Sequence, residues 1–541
     1  MTVPEPILRI ENLSIALPAG LDRTYAVHGV SLDVHRRQIV CVVGESGSGK
    51  SVTAAAVMRL LPEKVLRITG GTIRLEGVDI AAALPARLCE LRGNRMAMIF
   101  QEPLTALNPV MRAGEQIAEV LRIHRPEMGR DWVNARVAEL MADVHLPDPA
   151  RLAKAYPHQL SGGQRQRVMI AMALALEPAL IIADEPTTAL DVTTQAQILR
   201  LFRELLTKHD SGVLMITHDF GVVADVADYV VVMRQGEIVE RGAPDKVLTA
   251  PEHPYTRALI DAVPRFRYRT QAEASEPPVL AVEDLSLTYR STSFLGIRRE
   301  TRALDAVSFQ LAPGETLGVV GESGSGKTSL AKTLLRFETP DAGRILFKGR
   351  DVAGLAGAEL REMRRHIQMV FQDPYKSLNP RRRIGQSLIE GPVQHGTPRG
   401  QALARAEELM ELVGLRGDAL SRFPHEFSGG QRQRICIARA LAMAPSVIVA
   451  DEAVSALDVS VQAQVLRLFE GLQKRLGFAM IFVTHDLRVA SNICDRIAVM
   501  QRGQIVEIGL SRRVFEQPEA SYTCELLAAV PGFAREAAAG R

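Results

Sequence analysis

The sequence predicts two α/β domains in tandem, each built on a mostly parallel β-sheet covered by helices. The chain has 541 residues, which is too long for a single hydrophobic core. Several blocks of sequence occur twice in the same order. Within each copy of the repeat, short apolar runs such as ALIIADE and VLMITHD alternate with helical segments. Strands that are apolar on both faces are typical of a parallel sheet buried between helices.

The internal repeat sets the organisation of the chain. VVGESGSGKS at residues 42–51 recurs as VVGESGSGKT at residues 319–328. Three further blocks recur at one common spacing: SGGQRQR begins at Ser161 and Ser428, ADE at Ala183 and Ala450, and THD at Thr217 and Thr484. The two glycine-rich loops stand further apart than these pairs do. The first copy therefore has additional residues between this loop and SGGQ, which we assign to surface loops.

The two copies also end alike, which suggests where the domains lie. HPYTRALIDAVP closes the first copy and ASYTCELLAAVP closes the second, again at the common spacing of the repeat. We therefore assign residues 1–264 to the first domain and residues 279–541 to the second. RFRYRTQAEASEPP, residues 265–278, is polar and contains proline, so we interpret it as a short solvated linker.

Each copy presents its predicted elements in the same order. Alternating strands (ILRIENLSIAL, PVLAVEDLSLTY) come first, and a buried strand then leads to the glycine-rich loop and a helix. A mostly helical middle section and further buried strands follow. A strand–turn–strand unit closes each copy, as VVVMRQGEIVERG or IAVMQRGQIVEIG.

Composition and charge exclude several classes of protein. Hydrophobic residues make up 47% of the chain and the formal charge is only +3, so nothing points to a nucleic-acid partner. The most apolar stretch, residues 168–183, is interrupted by Glu177 and Pro178, which favours a buried helix followed by a buried strand over a membrane span. The first residues lack a signal-peptide pattern. Five scattered cysteines have neither metal-ligand spacing nor an even count, which indicates a reducing compartment.

The two glycine-rich loops fit the pattern G-x-x-x-x-G-K-[ST]. Their glycines let successive backbone N–H groups point into one concavity at a helix N-terminus, where anions bind. Lys50 and Lys327 are expected at the β- and γ-phosphates of ATP, and Ser51 and Thr328 at Mg²⁺. The predicted ATP-binding residues of the loops are Gly44, Glu45, Ser46, Gly47, Ser48, Gly49, Lys50, Ser51, Gly321, Glu322, Ser323, Gly324, Ser325, Gly326, Lys327 and Thr328.

Two acids end an apolar strand in each copy. LIIADE ends in Asp184 and Glu185, and VIVADE ends in Asp451 and Glu452. The carboxyl edge of a parallel sheet lies beside the phosphate loop, so we expect these acids in the active site. The aspartates are predicted Mg²⁺ ligands, and the glutamates are predicted general bases that polarise the attacking water.

The order of phosphate loop, glutamine, SGGQ, ADE, ALD and histidine resembles the nucleotide-binding domain of ATP-binding cassette (ABC) proteins, and it does so twice over nearly the whole chain. The resemblance implies tandem P-loop NTPase domains. Each would have a mostly parallel sheet, an antiparallel β subdomain and a helical subdomain. It also implies ATP hydrolysis at two sites that the two halves form together by pairing within the chain.

The resemblance assigns roles to further residues. Gln101 and Gln372 match the glutamine that senses Mg²⁺ and the membrane partner, and His218 and His485 match a catalytic histidine at the γ-phosphate. Asp191 and Asp458 match a loop that crosses the seam between cassettes. The signature residues, which bind the ATP held by the opposite cassette, are Ser161, Gly162, Gly163, Gln164, Ser428, Gly429, Gly430 and Gln431.

The adenine-binding position differs between the copies. Tyr25 matches the aromatic residue on which the family stacks adenine, whereas Arg302 holds the aligned position in the second copy. A guanidinium group can also stack on a base. Each copy has every catalytic residue of the family, so we predict two active sites.

FQEPLTALNP, FQDPYKSLNP and HPYTRAL resemble the ATPase subunits of bacterial importers of peptides, glutathione and nickel complexes. The fused double cassette looks most like the Yej-type oligopeptide importer or the glutathione importer. The expected partners are two permeases and, through them, a periplasmic or lipid-anchored substrate-binding protein, with no nucleic acid. The expected location is the cytoplasmic face of the inner membrane, as a peripheral subunit. Cys524 is solitary where many relatives carry a cysteine cluster, so we predict no iron–sulfur cluster.

One alternative is a soluble tandem-cassette ATPase that acts on ribosomes or nucleic acid. Such proteins usually join their halves through a long charged helix, whereas the linker here is short and irregular. Tandem-cassette DNA-repair ATPases carry zinc-binding cysteine sets, and exporters usually carry fused membrane helices. Neither feature is found in this sequence.

Overall fold

A computed structural model describes residues 5–18, 20, 23–62, 64–188, 190–269, 276–292, 298–455 and 457–533. The chain forms two compact units. The first comprises Met1–Ala262 together with Ala529–Arg541, and the second comprises Val263–Ala528. Residues 270–275 of the expected linker lie outside the described residues.

The first unit contains strands β1 (Leu8–Ala16), β2 (Tyr25–Val34), β3 (Ile39–Val43), β4 (Arg67–Leu75), β5 (Val78–Asp79), β6 (Met96–Ile99), β7 (Leu180–Asp184), β8 (Gly212–Ile216), β9 (Tyr229–Arg234) and β10 (Glu237–Gly242). Its helices are α1 (Lys50–Val57), α2 (Pro85–Leu91), α3 (Pro103–Ala106), α4 (Ala113–His124), α5 (Arg130–Asp143), α6 (Pro149–Leu152), α7 (Gly162–Leu174), α8 (Val192–His209), α9 (Phe220–Val226), α10 (Pro244–Thr249) and α11 (Pro254–Ala262).

The second unit repeats this order with strands β11 (Leu280–Thr292), β12 (Arg298–Leu311), β13 (Thr316–Val320), β14 (Ala342–Phe347), β15 (Arg350–Asp351), β16 (Ile367–Val370), β17 (Val447–Asp451), β18 (Ala479–Val483), β19 (Arg496–Gln501) and β20 (Gln504–Leu510). Its helices are α12 (Lys327–Leu334), α13 (Gly357–His366), α14 (Pro374–Ser377), α15 (Ile384–Gln394), α16 (Arg399–Leu412), α17 (Gly429–Leu441), α18 (Val459–Leu476), α19 (Leu487–Ile493), α20 (Ser511–Glu516) and α21 (Ser521–Ala528).

Each unit combines two sheets. In the first unit, β2-β1-β4-β5 form an antiparallel sheet, and β10-β9-β3-β8-β7-β6 form a second sheet that is parallel except for β10. The second unit has the corresponding sheets β12-β11-β14-β15 and β16-β17-β18-β13-β19-β20. The predicted α/β class, with a mostly parallel sheet and an antiparallel β subdomain in each copy, is confirmed.

The strand that carries the phosphate loop is central and fully buried. All five residues of β3 are buried, and the strand pairs in parallel with both β8 and β9. Apolar residues on both faces make such a strand favourable only under layers on either side. In the first unit, one core joins the antiparallel sheet, α1 and the parallel sheet. The phosphate loop therefore begins at the edge of this buried core.

Helices α4–α7 fill the predicted helical middle of the first unit, and α7 then leads to β7. The apolar stretch that was predicted to be a buried helix followed by a buried strand falls on α7 and β7, so this prediction is confirmed. Across the part of the chain that the structure describes, no helix is both long and apolar enough to cross a membrane.

The described part of the linker packs on the second unit. The Arg269 guanidinium group donates a hydrogen bond to the Ile493 carbonyl at 2.9 Å, and its side chain is only 20% exposed. Phe266 and Tyr268 both lie against the ring of Phe515. Residues 266–269 thus act as part of this unit, because their aromatic and cationic groups find partners there.

Core truncation should destabilise one unit at a time. Phe469 is fully buried on α18 and contacts the Phe482 ring edge-to-face. We expect Phe469→Ala to lower the free energy of unfolding of the second unit by about 3–5 kcal/mol, because it leaves a cavity. Urea unfolding followed by circular dichroism measures this loss. The control Leu476→Ala, at a side chain that is 36% exposed on the same helix, should change stability far less. Equal losses in the two variants would contradict the packing described here.

Candidate active site

The phosphate loop of the first unit connects β3 to α1. Gly49 has φ +104°, a conformation that side chains disfavour, and a Cβ atom at Gly44 would lie 2.2 Å from the Met233 carbonyl oxygen. Lys50 begins α1 and is 7% exposed. Its Nζ donates hydrogen bonds to the carbonyl oxygens of Gly44 at 2.7 Å and Glu45 at 2.8 Å. The loop therefore holds its lysine inside the concavity that its own backbone forms.

Strand β7 brings the predicted acid pair to this loop. The Ser51 hydroxyl donates to Asp184 Oδ1 at 3.1 Å, so the end of β7 lies beside the start of α1. Burial raises the pKa of Asp184, an effect that the Ser51 hydrogen bond partly offsets. A buried carboxylate next to a hydroxyl group offers the oxygen ligands that Mg²⁺ prefers.

Glu185 lies at the centre of a polar cluster. Its carboxylate accepts hydrogen bonds from Gln101 Nε2 at 2.7 Å and from the Thr188 hydroxyl at 3.0 Å, and His218 Nδ1 lies 3.1 Å from Oε1. Burial acts to raise the pKa of Glu185, but the bonds from His218 and Thr188 outweigh it and hold the pKa below its usual value. The carboxylate is therefore ionised at neutral pH. Three residues predicted from separate motifs are brought together here.

The second unit builds the same site with nearly the same contacts. Lys327 Nζ donates to the Gly321 and Glu322 carbonyls, both at 2.7 Å, and the Thr328 hydroxyl lies 3.4 Å from Asp451 Oδ1. Gln372 Nε2 donates to Glu452 Oε2 at 2.7 Å.

The charges of this second site are also tuned by burial and partners. His485 Nδ1 lies 3.4 Å from Glu452 Oε1. Burial alone lowers the pKa of His485, but the bond to Glu452 and its charge raise it above the usual value. Burial, with repulsion from Glu452, raises the pKa of Asp451 to about 6.

The signature residues begin a helix in each unit. Ser161 caps α7: its Oγ accepts from the Gln164 N–H at 3.2 Å, and its own N–H donates to Gln164 Oε1 at 3.0 Å. Ser428 and Gln431 repeat this arrangement at α17. A Cβ atom at Gly163 would lie 2.6 Å from Thr194 Cγ2, so any larger residue there would force Thr194 to shift. Asp191 and Asp458 are the N-caps of α8 and α18.

The two positions expected to contact adenine have different partners in the structure. Tyr25 begins β2, and its ring stacks on His28 with centroids 4.8 Å apart. Arg302 on β12 forms an ion pair with Asp305 at 2.6 Å. An aromatic pair in the first unit thus corresponds to an ion pair in the second.

Sequence reasoning missed two kinds of contact. Thr188, three residues after Glu185, carries no motif of its own. Tyr255 and Tyr522 belong to the blocks that close the two copies and were assigned no role, yet the hydroxyl of each accepts the backbone N–H of a phosphate-loop glutamate, Glu45 or Glu322, at 3.1 Å. The available signal was the spacing of the two tyrosines, which equals the spacing that relates the repeated SGGQ, ADE and THD motifs.

A glycine cradle that follows a central parallel strand, with an acid pair at the end of another strand of the sheet, defines each unit as a P-loop nucleoside triphosphatase. Comparison with known proteins narrows the class. The family model "ABC transporter" matches residues 27–188 and 304–455, and the model "Oligopeptide/dipeptide transporter, C-terminal region" matches residues 239–285.

The chain is 47% identical to the "Glutathione import ATP-binding protein GsiA" of Escherichia coli K12 over 97% of its own length and 89% of that protein. The protein of the same name from Salmonella choleraesuis matches with the same identity and coverage. Among solved structures, CbiO1 from Clostridium perfringens matches 45% of this chain and 93% of its own, at 29% identity and a TM-score of 0.40.

The chain belongs to the ABC transporter family. It is an ATPase with two ATP-binding cassettes, and the resemblance read from its motifs is confirmed.

The buried aspartate of the second site should make stability depend on pH. Because the pKa of Asp451 rises from 3.8 to about 6 on folding, its ionisation destabilises the second unit as pH rises through this range. In protein freed of divalent cations, we expect Asp451→Asn to stabilise this unit by up to about 3 kcal/mol at pH 7.5 and to lose that gain near pH 4.

Urea unfolding at a series of pH values measures this effect. The exposed Asp418→Asn is the matched control, and it should show no such trend. If the free energies of unfolding of Asp451→Asn and the unsubstituted protein differed by a constant amount from pH 4 to pH 7.5, the raised pKa of Asp451 would be contradicted.

Proposed function

We propose that this chain is the ATP-hydrolysing motor subunit of a bacterial importer for peptides of the dipeptide, oligopeptide or glutathione type. The observation that carries the proposal is the 47% identity to glutathione import ATP-binding proteins over 97% of the chain. The match to the C-terminal region of oligopeptide and dipeptide transporters supports the same cargo class. Two complete catalytic clusters support a motor with two working sites.

ATP binds at each phosphate loop. The loop N–H groups and the dipole of the following helix hold the phosphates, and Lys50 and Lys327 neutralise the β- and γ-phosphates. Tyr25 stacks on adenine in the first unit, and the stack on His28 orients its ring. In the second unit the Arg302 guanidinium group, held by Asp305, faces the same part of the nucleotide.

Oxygen ligands for Mg²⁺ are present at both sites. Ser51, Gln101 and Asp184 would hold the ion in the first unit, and Thr328, Gln372 and Asp451 would hold it in the second. The burial that raises the pKa of each aspartate is the observation that fits, since a nearby cation would stabilise the ionised carboxylate. The ion supplies charge stabilisation at the transferring phosphoryl group.

The glutamates accept the proton of the water that hydrolyses ATP. The ionised Glu185 accepts a hydrogen bond from the attacking water and receives its proton, while Gln101 and His218 fix the carboxylate. The water oxygen bonds to the γ-phosphorus, the bond from this phosphorus to the β–γ bridging oxygen breaks, and ADP and phosphate leave. Glu452, Gln372 and His485 perform these roles in the second unit.

The signature residues of each unit form a further anion-binding helix start. The first turn of a helix has N–H groups without intrahelical partners, and Gly162 and Gly163 leave those of α7 open to an anion. Ser161 and Gln164 stabilise this helix start. α17 repeats the arrangement through Ser428–Gln431. Binding and hydrolysis of ATP at the two sites drive the movement that the importer uses.

Exposed apolar side chains next to the catalytic glutamines fit membrane partners. In the second unit a groove of about 440 Å³ contains Phe337 and Phe371, whose rings lie 6.4 Å apart. Phe371 directly precedes Gln372, and Gln372 donates a hydrogen bond to Glu452. A permease helix in this groove would therefore contact the residue next to the catalytic cluster. Phe100 and Leu104 are exposed around Gln101 in the first unit.

The complete importer comprises two permeases and, through them, a periplasmic or lipid-anchored substrate-binding protein. This chain is a peripheral subunit at the cytoplasmic face of the inner membrane. It carries no iron–sulfur cluster, a prediction that iron and sulfide analysis of anaerobically purified protein checks.

Substitution of the catalytic glutamates tests the two-site motor. We expect Glu185→Gln and Glu452→Gln each to remove at least half of the ATPase rate, and the double variant to lose about 100-fold or more, because the attacking water loses its base. A coupled-enzyme assay measures these rates. The control Glu407→Gln lies on the exposed face of α16 and should keep full activity. Full activity in one single variant with complete loss in the other would show that the sites are not equivalent.

Cargo and partners are tested on the intact complex. The tagged chain, purified from membranes of its own bacterium, should bring down two permeases and a binding protein. In proteoliposomes, we expect ATP hydrolysis to rise when the binding protein is loaded with glutathione or short peptides, and not with free amino acids. Stimulation only by nickel complexes or sugars would exclude peptide cargo, and recovery with ribosomes in place of permeases would exclude the importer.

A further inference from the structure

A tyrosine of helix α11 holds the phosphate loop of the first unit from outside the ATP concavity. Tyr255 is the second residue of this helix and is 9% exposed. Its hydroxyl group accepts the backbone N–H of Glu45 at 3.1 Å, and the Arg234 guanidinium group lies 5.0 Å from the centre of its ring. The two bonded residues are 210 positions apart in the chain, so only the fold brings them together.

The second unit repeats this hydrogen bond in different surroundings. Tyr522 is the second residue of α21 and is 6% exposed, and its hydroxyl accepts the Glu322 N–H at 3.1 Å. The residues before the tyrosines differ, His-Pro in the first copy and Ala-Ser in the second. The position of Arg234 is held by Gln501. The feature that the two units share is therefore the bond to the phosphate loop.

One peptide group connects this bond to the lysine of the loop. The N–H that Tyr255 accepts belongs to the same planar group as the Gly44 carbonyl, which accepts Lys50 Nζ at 2.7 Å. In a trans peptide these two groups point in opposite directions, so rotation of the plane would weaken both hydrogen bonds together.

The same connection exists in the second unit. Tyr522 and Lys327 bond to opposite ends of the peptide group that joins Gly321 to Glu322. Each glutamate carbonyl accepts its lysine as well, at 2.8 Å for Glu45 and 2.7 Å for Glu322. The peptide that the tyrosine holds is thus followed directly by a second lysine contact.

We infer that Tyr255 and Tyr522 are positioning residues that fix the first peptide of each phosphate loop and, through it, the lysine that meets the phosphates of ATP. The inference rests on the role proposed above for Lys50 and Lys327. Each hydroxyl group accepts the N–H of a peptide whose carbonyl accepts the lysine, so it acts on the lysine through this peptide.

The test removes only the hydroxyl group and reads one site at a time. In the full-length chain carrying Lys327→Ala, ATP affinity reports on the first unit. There we expect Tyr255→Phe to raise the Kd for ATP about 3- to 10-fold, the change that corresponds to loss of one hydrogen bond. Titration with a fluorescent ATP analogue measures this affinity, and the thermal unfolding temperature checks that the fold is kept.

A double-substitution cycle separates positioning from general stability. If Tyr255 acts through Lys50, then Tyr255→Phe should change the Kd less than 2-fold once Lys50 is already alanine, because the group it positions is gone. Tyr229→Phe is the matched control: it removes a hydroxyl at the opposite end of β9 from Arg234 and should leave the Kd unchanged.

Three outcomes would overturn the inference or its basis. An unchanged Kd in Tyr255→Phe, or an equal loss with and without Lys50, rejects the positioning role. An unchanged Kd when Lys50→Ala is added to the Lys327→Ala chain, with Tyr255 kept, rejects the role proposed for the lysine instead. Should Tyr255→Phe fail to fold, Tyr522→Phe read at the second unit in a Lys50→Ala chain, with Lys327→Ala completing the cycle, decides the question by the same criteria.

Discussion

Both active sites depend on a close approach between two stretches of backbone that only glycine permits. A Cβ atom at Gly44 would lie 2.2 Å from the Met233 carbonyl, and one at Gly321 would lie 2.2 Å from the Met500 carbonyl. β9 runs parallel to β3, and β19 runs parallel to β13. Each phosphate loop therefore turns directly against the end of the neighbouring strand. The direction of the loop N–H groups and the depth of the lysine follow from this turn.

The two glutamates proposed as general bases add a second constraint, which is local strain. Glu185 and Glu452 both have φ +47°, in the left-handed region that side chains disfavour at a cost of order 1–3 kcal/mol. Each residue is held there by its N–H, which donates to the end of a neighbouring strand at Ile216 or Val483. This turn aims the carboxylate away from the strand direction and toward the glutamine and histidine. The backbone strain thus lies at the two glutamates whose carboxylates face the glutamine and the histidine.

The sequence predicted those parts of the fold and site that depend on local pattern and on repetition. Strand periodicity and the repeated motifs indicated the two sheets, the loops and the acid pairs. Each of these patterns is contained in a few consecutive residues, and its recurrence in the second copy strengthens it. The pairing of Tyr255 with Glu45 and of Arg302 with Asp305 could not be predicted, because neither pattern nor charge specifies these contacts. The solvated linker was expected from polarity alone, whereas Arg269 finds its partners on helices α18 and α19, which lie far along the chain.

The first unit includes a piece of chain that is synthesised long after the rest of it. The Gly532 N–H donates to the Asp225 carboxylate, and the Pro531 carbonyl lies against Gly221, both within this unit. The whole of the second unit, Val263–Ala528, is translated between the end of α11 and this piece. At roughly 5–20 residues per second, a ribosome needs on the order of 15–50 s to make it. During that interval the Asp225 carboxylate of the nascent first cassette lacks the hydrogen bond from the Gly532 N–H. A message truncated near its 3′ end would therefore impair the half of the protein encoded at the 5′ end.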